Sequence, residues 1–390
     1  QGRLHLKLTG VVLSAVGNTI TVTGHDTFRL GDTVVIHNTS SGNAVVKARV
    51  SNVNANGNTV TVQPYAKPLL STDSDFVNTH GITIFVYGSE FAKGTTGRTE
   101  VIAPEFKSFT NKPVIIKDKY EISGSDASQL GWVEVTGEEG QTGYLWYLKA
   151  EGDTRARFTD YLEMMCIEGE KRASDSAIAA TMGGTEGLFA AIQDRGHYSG
   201  GIIATGGTAA ADDLGSFDNI LKKFDAQGAI EENMLYCNRS VSLAIDDMLA
   251  AQNSYGAGGT SYGVFNNDED MALNLGFSGF RRGSYDFYKT DWKYLNDAVT
   301  RGSIGDNDIR GTIIPAGVSS VYDEGLGKNL KRPFLHVRYR ASQTDDRKMK
   351  TWITGSVGGN VTSDLDAMEV HYLSERCLVV QGANNFMLLN

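Results

Sequence analysis

An α+β fold carrying a small all-β unit at its amino-terminal end is predicted by three features of the chain. Residues 1 to 90 alternate apolar and polar side chains between Gly and Asn turns and show no helical period. Helical spacing first appears after Asp153, where Phe158, Tyr161, Leu162 and Met165 fall at i, i+3, i+4 and i+7 and place one apolar stripe on one face. Farther on, helical and strand patterns mix without strict βαβ alternation, which disfavours a parallel doubly wound sheet.

The first unit contains an internal echo. Gly17 Asn18 Thr19 Ile20 Thr21 Val22 recurs as Gly57 Asn58 Thr59 Val60 Thr61 Val62, and each copy follows a strand (10–15 and 45–53) across a turn of hairpin type. Two such units suffice for a small barrel, whose closure would remove exposed strand edges. Phe28 to Ile36 reads as a turn entering another strand. Near residue 90 the pattern changes, and Gly88, Gly94 and Gly97 punctuate a polar linker.

A long hairpin is expected next, with strands Val114 to Ile122 and Trp132 to Val135, a turn over 137–143, and a return over Tyr144 to Leu148. Ser123 to Asp126 has the composition of a tight turn. Asp153 is a good N-cap for the helix that follows, with Arg155, Arg157, Asp160, Glu163 and Glu168 mostly on its polar face. Neither the hairpin nor the helix can bury its apolar residues alone, which predicts completion by neighbouring subunits. Further helices are expected over 186–193, 217–224 (capped by Ser216) and 240–252. Strands are expected over 233–237, 262–264, 286–289, 312–314, 333–339, 368–380 and 385–389.

Composition excludes several functional classes. With 36 Lys and Arg against 46 Asp and Glu, the net charge of −10 argues against a surface built to neutralise phosphates. A basic cluster remains at Lys328, Lys331, Arg332, Arg338, Arg340, Arg347, Lys348 and Lys350. It is interrupted by Asp345 and Asp346 and reads as a solvated charged loop. Cys166, Cys237 and Cys377 are far apart and lack CxxC spacing, so reduced, mostly buried thiols fit better than zinc or a disulfide framework, and assembly in a reducing cytosol is expected. No apolar run approaches a membrane span and no signal-peptide pattern is present. The chain begins at Gln1 rather than Met, which reads as processing or truncation.

Catalytic patterns are weak. No phosphate-binding GxxxxGK[ST] loop occurs, and residues 256–263 read as a flexible glycine-rich loop. The seven His residues never fall at HExxH spacing. Asp246 and Asp247, adjacent on one helix, point apart, and Asp268 Glu269 Asp270 reads as a solvated loop, so the paired carboxylates of a glycosidase are not supplied. Gly259 Thr260 Ser261 Tyr262 Gly263 matches GxSxG but lies in a loop rather than between a strand and a helix. No catalytic, cofactor-binding or metal-ligating residue is therefore expected. The aromatic run Tyr144, Trp146, Tyr147, Phe158 and Tyr161 reads as a core within or between subunits.

Two groups of residues carry a family resemblance. The stretch from Phe85 Val86 Tyr87 Gly88 Ser89 Glu90 Phe91, through Asn111 Lys112 Pro113 Val114 Ile115 Ile116 Lys117 Asp118, to Gly131 Trp132 Val133 Glu134 Val135 resembles major capsid proteins of tailed bacteriophages of the Hong Kong 97 type. The ending Glu375 Arg376 Cys377 Leu378 Val379 Val380 with Phe386 Met387 Leu388 Leu389 is similar to the closing strand pair of that fold. Within the family, the chain looks closest to capsid proteins of crAss-like phages.

The resemblance implies an organisation and a role. Residues 1–90 would be an added β-barrel-like domain with an amino-terminal arm, 91–150 a linker and extended loop, and 151–200 a spine helix and peripheral domain. Residues 201–330 would form an axial domain, and 331–390 would return to the peripheral domain. The implied protein is a non-enzymatic virion component, assembled in the host bacterial cytoplasm from pentamers and hexamers into an icosahedral shell around double-stranded DNA. Its implied partners are its own copies and portal, auxiliary or decoration proteins, and relatives lose an amino-terminal scaffolding segment to a protease. Ile115, Tyr120, Trp132, Tyr144, Trp146, Arg155 and Arg157 are the expected subunit-interface residues. The competing reading is a secreted carbohydrate-active or carbohydrate-binding protein with residues 1–90 as an accessory β module; unpaired cysteines count against it.

Overall fold

A computed structural model describes residues 12–13, 19–21, 28–38, 45–54, 59–66, 82–99, 109–128, 134–136, 142–179, 181–199, 210–228, 230–254, 279–304, 309–323, 328–357 and 361–389. The chain divides into two compact units, Gln1–Phe109 and Thr110–Asn390.

The first unit is an antiparallel sheet of β1 (Val12–Leu13), β2 (Thr19–Thr21), β3 (Asp32–Asn38), β4 (Val45–Val53), β5 (Thr59–Pro64) and β6 (Ile82–Ser89), ordered β1-β2-β5-β4-β3-β6. Alternation along β4 and β5 sends Val46, Ala48, Val50, Val60 and Val62 inward, where they join Ile20, Phe28, Val34, Ile36 and Ile84 in one core. The sequence echo has a structural counterpart. Leu13 pairs with Ile20 as Val53 pairs with Val60, and Val12 pairs with Thr21 as Asn52 pairs with Thr61, so the two hairpins share one register. Their second strands then pair with each other, Ile20 opposite Val60, around a local two-fold axis.

Among the described residues β1 and β6 end the strand path, so backbone pairing there does not make the closure expected of a barrel. Register shifts at Thr33/Val34 and Val50/Asn52 bend the sheet instead. The segment after Ser89, read from sequence as a linker, is tied into this unit. Glu90 N donates to Gly31 O at 2.9 Å, and Arg98 pairs at 2.6 Å with Asp32, which is 1% accessible. Gly31 is required at this turn, since φ is +83° and a Cβ would stand 3.0 Å from the Phe91 ring.

The second unit contains β7 (Val114–Ser123), α1 (Gly124–Ala127), β8 (Glu134–Thr136), β9 (Thr142–Tyr144), α2 (Leu145–Glu168), α3 (Leu188–Arg195), β10 (His197–Ser199), α4 (Ala210–Gln227), β11 (Glu232–Cys237) and α5 (Arg239–Ser254). These are followed by β12 (Gly279–Arg282), β13 (Tyr285–Asp291), α6 (Lys293–Asn296), β14 (Gly311–Pro315), β15 (Val318–Asp323), β16 (Lys328–Pro333), β17 (Leu335–Tyr339), β18 (Lys350–Gly355), β19 (Ala367–Val380) and β20 (Met387–Leu389). Helices and strands are mixed, as expected.

A six-stranded sheet, β10-β20-β14-β11-β13-β12, forms one centre, with β10/β20 and β11/β13 parallel and the other pairs antiparallel. Alternation along β20 serves both of its faces. Met387 and Leu389 join Phe217, Ile220 and Phe224 of α4 and Val241, Ile245 and Met248 of α5, whereas Leu388 joins Leu188, Phe189 and Ile192 of α3. Phe217 sits 5.5 Å from Phe280 and 5.1 Å from Phe287 between ring centroids, and these contacts fix α4 on the sheet.

At the edge of this layer Arg282 grips both oxygens of Asp218, at 2.7 and 2.9 Å. The guanidinium holds the Asp218 carboxyl below its ordinary range. A depressed folded-state value contributes stability above the unfolded carboxylate pKa that is lost as pH falls through the folded value. Arg282→Met is therefore expected to flatten the acid limb of a melting-temperature profile below about pH 4; an unchanged acid limb would show that the pair contributes nothing.

The structure corrects several expected elements. Helix α2 begins at Leu145, so the returning strand is β9, ending at Tyr144, rather than Tyr144 to Leu148, and Asp153 lies inside the helix rather than capping it. Leu145, Leu148, Lys149, Ala150 and Glu151 are good helix formers, and an interior Gly152 costs only about 1 kcal/mol. Ser216 likewise lies within α4, which starts at Ala210. Strand β7 does not pair with β8. It pairs along its whole length with β19, from Val114 opposite Arg376 to Ser123 opposite Ala367, whereas β8 and β9 form a separate two-stranded hairpin. The expected strand at 262–264, the acidic stretch 268–270 and the GxSxG match lie outside the described residues.

Candidate subunit-contact surface

Helix α2 has 24 residues and extends for about 36 Å at 1.5 Å per residue. It lies on the sheet formed by β7, β19, β18 and β17. In β7 the even positions face the helix: Ile116 and Ile122 are buried, whereas Ile115, Lys117, Lys119 and Glu121 face outward. Phe158 and Leu162 of α2 enter a core with Ile116, Val370 and Tyr372, the Phe158 and Tyr372 rings lying 5.7 Å apart. Burial in this layer pushes the Tyr372 and Tyr120 phenols up.

Only half of the expected apolar stripe is buried. Phe158 and Leu162 are 0% and 4% accessible, but Tyr161 and Met165 are 43% and 37% exposed. Together with Ile116, Met164, Glu168 and Gly169 they line an open groove of ≈ 380 Å³. The far end of the helix is fixed through Glu168, which accepts from Arg301 at 2.6 Å on both oxygens and from the Tyr294 hydroxyl at 2.7 Å. Arg301 also stacks 5.0 Å over the Phe189 ring, tying α2 to α3.

The opposite face of this sheet is charged and internally paired. Lys119 donates to Glu121 at 2.9 Å and to Glu369 at 2.8 Å, and these bonds raise its pKa while holding the Glu369 carboxyl low. His371 sits 3.2 Å from Glu369 and 2.7 Å from the Thr354 hydroxyl, with its ring stacked 5.2 Å from Trp352. The basic cluster nearby is partly neutralised: Glu375 pairs with Arg347 at 2.5 Å and Arg340 at 3.1 Å, and Lys350 pairs with Asp345 at 2.7 Å.

The seven expected contact residues separate. Ile115 is 52% exposed on the outward face of β7, and Tyr120 is partly buried on the opposite face. Arg155 is exposed on α2, whereas Arg157 donates within the chain to Asp118 at 3.0 Å. Tyr144 ends β9 and Trp146 lies in the first turn of α2, their side chains being outside the described set, as is all of Trp132. Asp246, read as half of an acid pair, instead forms a buried ion pair with Lys289 at 2.5 Å, and Asp247 faces solvent.

Sequence reasoning missed the role of Asn111. Its amide donates to the carbonyls of Glu186 and Leu378, both at 2.9 Å, and its oxygen accepts from Glu186 N at 2.8 Å. One side chain thereby joins the entry of β7 to the start of α3 and to β19. The Asn before a Lys-Pro pair was a visible signal for a fixed chain entry, although its partners were not. Asn111→Ala is expected to cost about 2 to 3 kcal/mol, since it leaves backbone groups without partners. Urea unfolding checks this, and a change below about 0.5 kcal/mol, as at a neutral surface site, would refute the clamp.

All three cysteines are free, and burial raises each thiol above its ordinary range, Cys237 to about 12. No cluster of His, Cys, Asp and Glu able to hold a metal ion occurs among the described residues, and no helix there is long and apolar enough to cross a membrane.

No protein-family model matches the chain, and no curated protein matches it. Solved phage structures do align with it. The satellite phage P4 procapsid including the size determination protein is 11% identical over 78% of each chain, with a TM-score of 0.39. A structure of Gordonia phage Cozz is 13% identical over 93% of this chain and 82% of its own, also at 0.39. The mature capsid of bacteriophage PhiM1 is 10% identical over 77% of this chain and 79% of its own, at 0.34.

Proposed function

We propose that this chain is a shell-forming major capsid subunit of the Hong Kong 97 type from a tailed phage of the crAss-like group. The observation that carries the reading is α2, a helix of about 36 Å anchored to the β7/β19 layer by Phe158 and Leu162, with Tyr161 and Met165 left exposed along it. Outward Ile115 adds a second apolar position on the same layer. A neighbouring copy seated on this layer would bury these side chains.

A closed shell needs heterologous contacts whose rotation closes into rings, and pentamers and hexamers meet that need. In this reading α2 is the spine, the sheet of β7, β17, β18 and β19 is the peripheral domain, and the mixed sheet with α4 and α5 is the axial domain. The β8–β9 hairpin belongs to the extended loop that reaches a neighbour. The first unit is an added domain. Portal and decoration proteins would contact the assembled shell, and the acidic chain would enclose double-stranded DNA without gripping it.

The test is sedimentation velocity on the chain and on an Ile115→Asp/Met165→Asp variant. The parent is expected to sediment as capsomers or shells. The variant should need at least tenfold more protein to assemble, with monomer stability within about 0.5 kcal/mol of the parent. Equal assembly by both would remove these side chains from the contact.

A further inference from the structure

The first unit carries a cleft that the shell reading does not use. It opens to ≈ 760 Å³ and is lined by Thr33 of β3, Val45 and Lys47 of β4, Tyr65 and Ala66 beyond β5, and Tyr87, Ser89 and Glu90 at the end of β6. Tyr65 and Tyr87 are 53% and 50% exposed, so both rings are open to solvent. One of them is held in place. The Tyr65 hydroxyl donates to the Glu90 carboxylate, Tyr65 N donates to Lys47 O at 3.1 Å, and Arg49 Nε donates to Glu90 O at 3.0 Å. The bond to Glu90 pushes the Tyr65 phenol up to about 12.

From this geometry we infer that the cleft is a binding site for an uncharged oligosaccharide. The volume lies in the range of small-ligand sites. Exposed tyrosine rings offer apolar faces with polar rims, which suit the C–H faces of a sugar ring. Around them the cleft presents a carboxylate acceptor, an ammonium donor and the Ser89 hydroxyl, with Thr33 buried beneath. A purely apolar ligand would desolvate these groups without compensation, at a cost of a few kcal/mol each. A phosphate-bearing ligand would meet Glu90 at close range. A polyhydroxylated ligand can donate to Glu90, accept from Lys47 and cover the rings at once.

The cleft lies wholly within the first unit, so the inference holds whether or not the chain assembles. Its test uses saturation-transfer NMR on the full chain with a panel of soluble malto-, cello-, galacto- and manno-configured trisaccharides, followed by titration of those that bind. At least one trisaccharide is expected to bind saturably. Tyr87→Ala and Glu90→Gln should each weaken it at least tenfold, while Ile115→Asp in the second unit leaves it unchanged. Tyr87 is exposed, so its truncation should leave the melting temperature of the first unit in place, and Lys47→Ala serves as a second probe if it does not. No saturable binding across the panel, or binding unaffected by all three cleft substitutions, would overturn the assignment.

Discussion

Truncating Phe158 to Ala is expected to destabilise the second unit by about 3 to 5 kcal/mol, the range for an emptied aromatic site in a packed core. Phe158 is 0% accessible and fills the space between α2 and the β7/β19 layer, against Ile116, Val370 and Tyr372. Its loss leaves Leu162 as the main apolar anchor in that cluster, so α2 should also lose its fixed position on the sheet. Two readouts follow: a lower urea midpoint, and a loss of assembly larger than that of Ile115→Asp/Met165→Asp. A Phe158→Leu variant should retain most of both. Should Phe158→Ala cost less than about 1 kcal/mol, the helix is not seated as described.

The second large effect concerns the ion pair between α5 and β13. Lys289 and Asp246 have side-chain accessibilities of 6% and 11%, and the ammonium also donates to Ser242 O at 3.2 Å. Lys289→Met removes the Lys289 ammonium from beside the Asp246 carboxylate, which stays beneath α5. The expected cost is about 3 to 5 kcal/mol. Replacing both residues, as Lys289→Met/Asp246→Leu, should restore much of the loss, because apolar pairs of similar volume often match or exceed a buried ion pair. A double variant as unstable as Lys289→Met alone would place the cost in packing rather than charge. Denaturant unfolding of the parent, both single variants and the double variant closes the cycle.

Local patterns were legible where their cause was local. The echo at Gly17 and Gly57 announced two hairpins, and they share one register, as the equal spacing of the Gly-Asn steps and the alternating side chains require. That the two copies pair with each other was not legible, since nothing in one strand names its neighbour. The same limit explains β7. Its alternation predicts a half-buried strand, but β19, its partner, lies roughly 250 residues away, and local alternation does not name it.

Helix α2 was placed eight residues late because Leu145, Trp146, Tyr147 and Leu148 form a bulky apolar run, which fits a strand or a buried helix equally well by period alone. The outward direction of Ile115 was legible because alternation turns it away from Ile116. Tyr161 and Met165 share the apolar stripe with Phe158 and Leu162, but a helical stripe does not reveal how wide a face its partner sheet can cover. Asn111 could be read as a turn residue, but its partners on α3 and β19 come together only in the folded chain.

Electron microscopy of the expressed full chain, across protein concentration, pH and salt, tests the central claim most directly. The shell reading predicts closed particles or rings of five and six subunits, with α2 seated across the β7/β19 layer in each subunit at higher resolution. A chain that stays monomeric under every condition, with Tyr161, Met165 and Ile115 still exposed, would contradict it.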